Sequence, residues 1–465
     1  MQTQALELLV CPVSQQRLRL SDGKLSDATG SRTYPVVHGV PILADGVTVV
    51  ERDEKPSPAF IQDMIAALGS HTITADDLQS VFGYKFEFPN LGLQIEADQF
   101  IDRVRNAATI TDPFTVNLGQ IHREPSIEHV HLTLSTQFRI PHVRPSTCFS
   151  INASVSNVGE HKIDAEKFPQ ICIASMWTDL KTKQSVDAAD RTHLLVPIQP
   201  GGRLTMPLFA TSPAKPGRYR LEFSGIIEGD RWLPDGRLLM EIEVTPDAPC
   251  LDETNWRCTG VLRDYTGDHV EAVSVLRGWL GKYVSSHKSL VELGGNASPM
   301  TRGMARNVIN VDIDPFGMIV GSIRDSKAPA SPTYIVSDGM NLPFANRSID
   351  AFAMFATFHH FPDPVGLLHH LSMKLDDDGI IALMCEPIGH VVKGTMDDGY
   401  RKELLKGVNE QSFAFREYAQ MFEDAGLYVA DSQIDVGSLK VALKKKPRRF
   451  ARLKSFFSLP KSPKP

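Results

Sequence analysis

The sequence predicts a multidomain protein: an α/β unit on an open, mostly parallel sheet, preceded by an all-β sandwich and a small β-rich ribbon. Three observations predict it. Ser289–Phe344 holds three short apolar runs, Ser289–Leu293, Val308–Val311 and Thr333–Val336, each ending in a Gly-rich or acidic tip. That is the pattern of buried parallel strands that deliver a nucleoside-binding crevice at their C-terminal ends. Between Phe114 and Val244 the apolar period changes to two, in seven strand-like runs separated by Pro, Gly, Asn and Asp. Residues 1–50 alternate short β-like runs around the turn Ser21-Asp22-Gly23-Lys24.

A chain of 465 residues exceeds one ordinary core and implies two to four domains. With 42% apolar and 22% charged residues it has a soluble globular composition. No run approaches the ~18 apolar residues of a membrane-spanning helix, and the N-terminus lacks the basic and apolar regions of a secretion signal. Six scattered cysteines (Cys11, Cys148, Cys172, Cys250, Cys258, Cys385) contain no CxxC, which fits free thiols in a reducing cytoplasm. The net charge of −6 conceals an asymmetry, because Lys444–Pro465 carries nine Lys/Arg and no acid. The body is therefore more acidic still, and no nucleic-acid partner is expected. The basic tail, with Phe450, Leu453, Phe456 and Phe457, is read as a peripheral contact with the inner membrane face. The competing readings are contact with an acidic partner or nucleic acid, and a disordered end, the commonest case for such Pro- and Lys-rich ends.

In chain order, residues 1–50 come first. Tyr34, Pro35, Gly39, Pro41 and Leu43 form a YPxxxGxPxL run, and Cys11-Pro12-Val13-Ser14 has Ser where a CPxC would place its second thiol. The segment resembles the Trm112-like ribbon family, methyltransferase partners that carry a zinc ribbon. A structural zinc needs four ligands; Cys11 with His38 as its one nearby helper cannot supply them, so a metal-free ribbon is expected. Residues 51–113 read as a helical connector, with Phe60, Met64, Ile65 and Leu68 on one helix face and Phe100, Ile101 and Val104 on another. The segment 114–246, with its NxG…PG-x-Y-x-L pattern, resembles the Ig-like sandwiches attached to bacterial surface-polysaccharide enzymes and exporters. That resemblance implies glycan binding, for which Trp177 and Trp232 could stack on a sugar; the alternative is that both are core tryptophans. A helix with Val270, Val273, Leu276, Leu280 and Val284 on one face then leads into the α/β unit.

Within that unit, Glu292-Leu293-Gly294-Gly295-Asn296-Ala297-Ser298 is a tight strand-to-helix turn whose small residues let backbone N–H groups approach a ligand. Asn296 tolerates left-handed geometry, and Pro299 suits the start of a helix. Asp312 ends the second strand, where a carboxylate accepts from both ribose hydroxyls. Asp338 ends the third, placed to accept from an adenine amine with Met340 packed on the ring.

These blocks, with Val311-Asp312-Ile313-Asp314-Pro315, the run from Ser337 to Phe352, Asp350–Phe355 and Gly379–Pro387, resemble a class I S-adenosylmethionine-dependent methyltransferase of the type 11 kind over 262–443. The resemblance implies a Rossmann-like, mostly parallel seven-stranded sheet and S-adenosyl-L-methionine as cofactor. Its contacts would come from Glu292, Gly294, Gly295, Asn296, Asp312, Asp338, Gly339, Met340 and Phe355. Asn296 and Ser298 stand where two of the family's three glycines stand, adding bulk near the cofactor's carboxypropyl end. The missing GxGxxG lowers the dehydrogenase reading. For catalysis His359 and His360, after the fourth strand, and Glu386, after the fifth, are the candidates, His being the commonest general base. Paired histidines there also occur as packing and capping residues, and no metal site is expected from the ligand spacing. Asn409, Glu410 and Arg416 lie near the acceptor-side lid. The expected function is O-methylation of a glycan or glycolipid in surface-polysaccharide assembly. The alternatives are an inactive glycan-binding or scaffold protein, and a methyltransferase of RNA or protein.

Overall fold

The computed structural model describes residues 6–100, 125–249 and 265–447, apart from 53–54, 69–71, 92, 96, 98–99, 187–189, 285–288, 329, 393–394, 397, 407 and 436. The proposed membrane-contacting tail lies almost wholly outside the described residues.

The ribbon is an antiparallel sheet of β1 (Arg19–Ser21), β2 (Lys24–Ser26), β3 (Thr33–Val37) and β4 (Val40–Pro41). Cys11 is buried against the Tyr34 hydroxyl (3.1 Å), whereas His38 bonds Ser80 Oγ (3.0 Å), so the two make separate contacts. The next segment departs from a purely helical connector. It contains β5 (Thr48–Glu51), α1 (Pro58–Leu68), α2 (Ala75–Val81), β6 (Tyr84–Phe88) and β7 (Leu93–Ile95), and its strands form a three-stranded antiparallel sheet. The reason is legible in Tyr84-Lys85-Phe86-Glu87-Phe88: its period of two buries Phe86 and Phe88, which a helix would place on different faces. The expected second helix, around Ile101 and Val104, falls mostly outside the described residues.

Nine strands follow: β8 (Leu132–Ser135), β9 (His142–Val143), β10 (Cys148–Asn157), β11 (Ile171–Asp179), β12 (Ser185–Val186), β13 (Arg191–His193), β14 (Arg203–Thr211), β15 (Gly217–Ile227) and β16 (Arg231–Val244). They form two sheets, β14-β10-β8 and β12-β11-β15-β16-β9, with β13 on β11. Inward residues of both sheets, among them Ile151, Val155, Ile173, Leu208 and Phe223, belong to one core. Trp177 is wholly buried, edge-on to Phe149 (6.3 Å) and Tyr219 (6.2 Å), and so cannot stack on a sugar. Trp232 is 40% exposed and presents a ring to solvent.

The C-terminal unit comprises α3 (Tyr265–Tyr283), β17 (Ser289–Leu293), β18 (Asn307–Asp312), α4 (Pro315–Asp325), β19 (Thr333–Val336), β20 (Ile349–Phe355), α5 (Pro364–Lys374) and β21 (Leu375–Pro387). There follow the hairpin β22 (Val391–Val392) and β23 (Thr395–Met396), then α6 (Asp398–Leu405), α7 (Phe415–Asp424), β24 (Leu427–Asp435) and β25 (Ser438–Lys445). The seven-stranded sheet runs β19-β18-β17-β20-β21-β25-β24; its first five strands are parallel and β25 is antiparallel to both neighbours. Strand order reverses between β17 and β20, the point at which such sheets open a crevice. The helix expected to begin near Pro299 is absent: residues 294–306 are turns. The buried Glu292 carboxylate takes the N–H groups of Met300 (2.9 Å) and Thr301 (2.8 Å) and the Thr301 hydroxyl (2.7 Å). Those N–H groups are thereby committed to a side chain and hold the crossover in a compact loop.

The modules are docked. The ribbon lies along the open edge of β19: Leu43 N–H donates to Val336 O (2.7 Å), Val10 N–H to Pro343 O (2.9 Å), and Ile42 bridges Val336 in parallel. Met64, Leu78, Phe82 and Phe86 of the connector share a core with Phe316 and Ile319 of α4. The sandwich sits on α7 and the segment before it. Asn152 N–H and Nδ2 donate to the Glu417 carboxylate (2.8 and 2.5 Å), Nδ2 also to Ser412 O (3.0 Å), and Phe138 meets Phe413 edge-on. Glu417 also accepts from Ala414 N–H (3.0 Å) and is 1% exposed. Glu417→Ala would strand these buried donors, and we expect a loss of about 2–4 kcal/mol, seen as a lowered urea midpoint of the unfolding step that includes the sandwich.

Candidate active site

The crevice is built at the C-terminal tips of β17, β18, β19 and β20. At the first tip Gly294 has φ +78°, and a Cβ there would collide with the Thr357 side chain, so only glycine permits this approach of the two loops. Asn296 is itself left-handed, at φ +42°. Its amide folds back, Nδ2 donating to Asp314 Oδ2 (3.0 Å), and fills the space over Gly317 that a Cβ would need. Ser298 Oγ accepts from Arg324 (3.0 Å). Both residues that replace the expected glycines therefore turn toward α4 and leave the crevice. Arg302 anchors the same loop, donating to Asp325 (2.8 Å) and Pro299 O (3.2 Å).

Asp312 Oδ2 accepts Asn296 N–H (3.0 Å) and Oδ1 accepts Asp314 N–H (3.0 Å), which orients its carboxylate at the β18 tip. A carboxylate fixed at this tip is the type of group that accepts from two vicinal hydroxyls. Asp338 accepts Met340 N–H (2.9 Å), while burial pushes its carboxyl above the ordinary range. A desolvated carboxylate of this kind fits an amine donor such as that of adenine. Gly339 lies under the Phe361 ring with no space for a Cβ (2.8 Å), and His370 Nε2 accepts Leu342 N–H (2.9 Å), fixing the turn that carries Asp338, Gly339 and Met340. Phe355, 8% exposed, closes the β20 tip against the His269 ring (6.3 Å). Of the expected cofactor residues, Glu292 and Gly295 act from behind: Glu292 is buried and pins the loop, and Gly295 packs on Asn310 and Glu292. The donor set and the glycine-lined approach thus fit S-adenosylmethionine.

The second half of the site lies beside the loop after β20. A β-bulge between Leu383 and Glu386 of β21, with Cys385 at φ +58°, re-aims Glu386. Wholly buried, Glu386 accepts the N–H groups of Thr357 (3.2 Å), Phe358 (3.0 Å) and His359 (3.0 Å), and His359 Nδ1 at 2.8 Å. On the other side His359 Nε2 faces Glu410 Oε1 at 3.4 Å, and His360 Nδ1 faces Glu410 Oε2 at 3.7 Å. Burial opposes charge on His359, but the Glu410 and Glu386 carboxylates outweigh it and hold the imidazole protonated well above its usual range. Burial and the neighbouring His359 charge push His360 down to about 3. Glu410 is opposed by burial too, yet the His359 charge lowers it overall.

Residue placement thus differs from the sequence expectation in two respects. His359, flanked by carboxylates on both ring nitrogens, is held toward the imidazolium, whereas burial and that neighbouring charge hold His360 toward the neutral ring. Glu410, read from sequence as a lid residue, is the partner that joins both histidines. Its neighbours explain this: Asn409 Nδ2 donates to His360 O (2.7 Å), and Gln411 Nε2 to His359 O (2.7 Å) and Phe361 O (2.9 Å). The run Asn409-Glu410-Gln411 was the available signal, three hydrogen-bonding side chains in succession. Arg416, by contrast, turns to Ser150 O of the sandwich.

Fold and crevice together are those of an open α/β sheet that binds a nucleoside at its strand tips. Residues 291–383 match the family model described as a methyltransferase domain. Residues 291–383 are thus a methyltransferase domain, with S-adenosyl-L-methionine as its cofactor. No curated protein matches the chain. Among solved structures it is similar to an S-adenosylmethionine-dependent methyltransferase from Mesorhizobium loti, at 14% identity over 39% of this chain and 100% of that one, TM-score 0.32. It is also similar to magnesium protoporphyrin IX methyltransferase from Synechocystis PCC 6803 with bound SAH, at 14% identity over 40% and 90%, TM-score 0.31. A third is a complex of the Haloferax volcanii Trm112 methyltransferase activator with a methyltransferase, at 15% identity over 40% and 99%, TM-score 0.30. Likenesses this low carry no argument about substrate.

Asp312→Ala removes the acceptor pair at the β18 tip. Two hydrogen bonds to a charged group are worth about 3 kcal/mol or more, so S-adenosylmethionine affinity measured by calorimetry should fall at least 100-fold.

Proposed function

We propose that the protein transfers the methyl group of S-adenosylmethionine to a hydroxyl of a glycan or glycolipid in surface-polysaccharide assembly. The observation that carries this reading is the direct docking of the sandwich on the segment that holds Glu410. Asn152 grips Glu417 and also Ser412, two residues from Glu410, while Arg416 reaches Ser150. A module with an exposed aromatic, Trp232, is thereby coupled to the acceptor side. A groove of about 820 Å³ also opens on the sandwich, lined by Asp179, Gln184, Thr211, Lys215 and Tyr219, a polar set suited to hydroxyls.

In the Rossmann-like crevice the bound cofactor supplies an electrophilic methyl at its sulfonium. The chain's own residues do the rest. Asp312 and Asp338 hold the nucleoside, and the stapled loop 294–302 sets the depth of the methionyl end. Methyl transfer is an in-line displacement, so its main requirement is a hydroxyl held on the line of attack. Glu410, the partly exposed member of the cluster, offers a carboxylate at that rim to orient the hydroxyl and receive its proton, while His359 and the buried Glu386 behind it hold Glu410 in place. Peripheral association of the basic tail with an anionic membrane face would bring the site to lipid-linked acceptors.

The test is transfer of radiolabelled methyl from S-adenosylmethionine to extracted surface polysaccharide and glycolipid by the full chain. Label recovered in O-methyl sugars after acid hydrolysis supports the proposal; label in RNA or protein fractions, or none anywhere, overturns it. Glu410→Gln should lower kcat by roughly 10²–10⁴-fold, while cofactor affinity stays unchanged.

A further inference from the structure

His359, His360 and Glu410 have the arrangement of ligands around an ion. Their ligand atoms, two imidazole nitrogens and a carboxylate oxygen, all lie within 4.8 Å of one another. Ligands at about 2.0–2.1 Å around a tetrahedral ion stand about 3.4 Å apart. The separations here are 3.4 Å for His359 Nε2 to Glu410 Oε1 and 3.7 Å for His360 Nδ1 to Glu410 Oε2. Both are longer than a good charge-assisted hydrogen bond, at about 2.7–2.9 Å; each imidazole faces a different oxygen of the one carboxylate, at a separation on the scale of neighbouring ligands of one ion.

Three further features agree. Metal-bound histidines characteristically donate their second ring N–H to a carboxylate, which fixes the tautomer; His359 Nδ1 meets Glu386 at 2.8 Å, which turns Nε2 toward Glu410. The backbones of the ligands are clamped to each other by Asn409 and Gln411, and Tyr400 OH donates to Glu410 O (3.0 Å). The His360 and Glu410 side chains keep 19% and 13% exposure, which provides an entry path and an open position for a fourth ligand. The charges agree as well: Glu386 and Glu410 together balance a divalent cation once both imidazoles are neutral.

We propose that His359 Nε2, His360 Nδ1 and Glu410 bind one divalent first-row metal ion, with Glu386 as the positioning residue behind His359 and an open fourth position at the acceptor side. Two nitrogens and one carboxylate suit Zn²⁺ and its spectroscopic surrogate Co²⁺. The His359 proton is released when the ion binds. If the acceptor is a hydroxyl, as proposed above, the ion binds its oxygen and lowers its pKa, making the nucleophile that attacks the sulfonium methyl. The proton goes to solvent through the open side, the C–S bond breaks, and the product is a methyl ether plus S-adenosylhomocysteine.

The test titrates Co²⁺, then Zn²⁺, into the full chain after chelator treatment. One equivalent of Co²⁺ should give the intense visible bands of a tetrahedral site, displaced by Zn²⁺, with Kd raised at least 100-fold in His360→Ala and in Glu410→Gln. Circular dichroism and cofactor binding by calorimetry establish that both variants are folded. Absence of these bands and of saturable Zn²⁺ heat in the folded chain overturns the proposal, as does binding undiminished in both variants. A second cluster, Asp268, His269 and Cys385, could hold an ion. Retention of binding in Cys385→Ser supports the assignment; its loss there, together with thiolate charge-transfer bands in the unsubstituted Co²⁺ form, overturns it. Cofactor binding does not involve these ligands, so a chain that fails to bind S-adenosylmethionine fails the methyltransferase reading separately.

Discussion

A carboxylate without exposed surface must be surrounded by donors, and in this protein that requirement falls on Glu386. Its oxygens collect three consecutive backbone N–H groups, Thr357 to His359, and a ring nitrogen. The loop after β20 therefore wraps on the end of β21. From that loop the hydrogen bonds continue outward: the carbonyls of His359 to Phe361 are taken by Asn409 and Gln411, and the next residue, Ser412, offers its carbonyl to Asn152 of the sandwich. One buried charge thus fixes this wall of the crevice, and that wall fixes the position of the preceding module. Because each link is mostly buried, breaking one leaves an unsatisfied group and not merely a lost contact.

The cofactor half of the crevice follows a different rule, that of backbone geometry. Gly294 is held at φ +78° against Thr357, and Asn296 occupies a left-handed position that few residues other than Gly tolerate as well. What makes the substituted loop compatible with S-adenosylmethionine is the direction of its side chains. Asn296 caps toward Asp314 and Ser298 toward Arg324, so the bulk is spent on tying the loop to α4. Glu292 holds the far side of the same loop through Met300 and Thr301, in place of a crossover helix.

The N-terminal modules close surfaces that the catalytic sheet would otherwise leave open. β19 is an edge strand of a long parallel sheet, with unpaired backbone groups on its outer side; the ribbon pairs with them through Leu43 and Val10 at the adjoining Pro343. The connector covers the outer face of α4, whose Phe316, Ile319 and Val320 are fully buried. The ribbon reaches the foot of the β19 tip, where Leu43 O accepts from Ser337 Oγ (3.2 Å), beside Asp338. The effect of the two contacts is to keep the β18 and β19 tips, and hence Asp312 and Asp338, in a fixed relation.

Much was legible in the linear sequence. Short apolar runs ending in Gly-Gly-Asn, Asp312 and Asp338 specified a parallel sheet and its crevice, because buried strands and their tips are local patterns that survive without knowledge of neighbours. Alternation specified the sandwich strands in the same way. The connector's small sheet was missed since two helical faces masked a five-residue alternation at Tyr84–Phe88. The helix expected at Pro299 failed because a distant property, the burial of Glu292, claimed its N–H groups. Which tryptophan is core, which way Asn296 points, and that Glu410 meets two histidines some fifty residues earlier were decided only by tertiary structure. These depend on burial and on partners far along the chain, and neither is encoded in the spacing of the residues themselves. The sequence alone determined where a nucleoside could lie; the packed chain decided what surrounds the atom it would transfer.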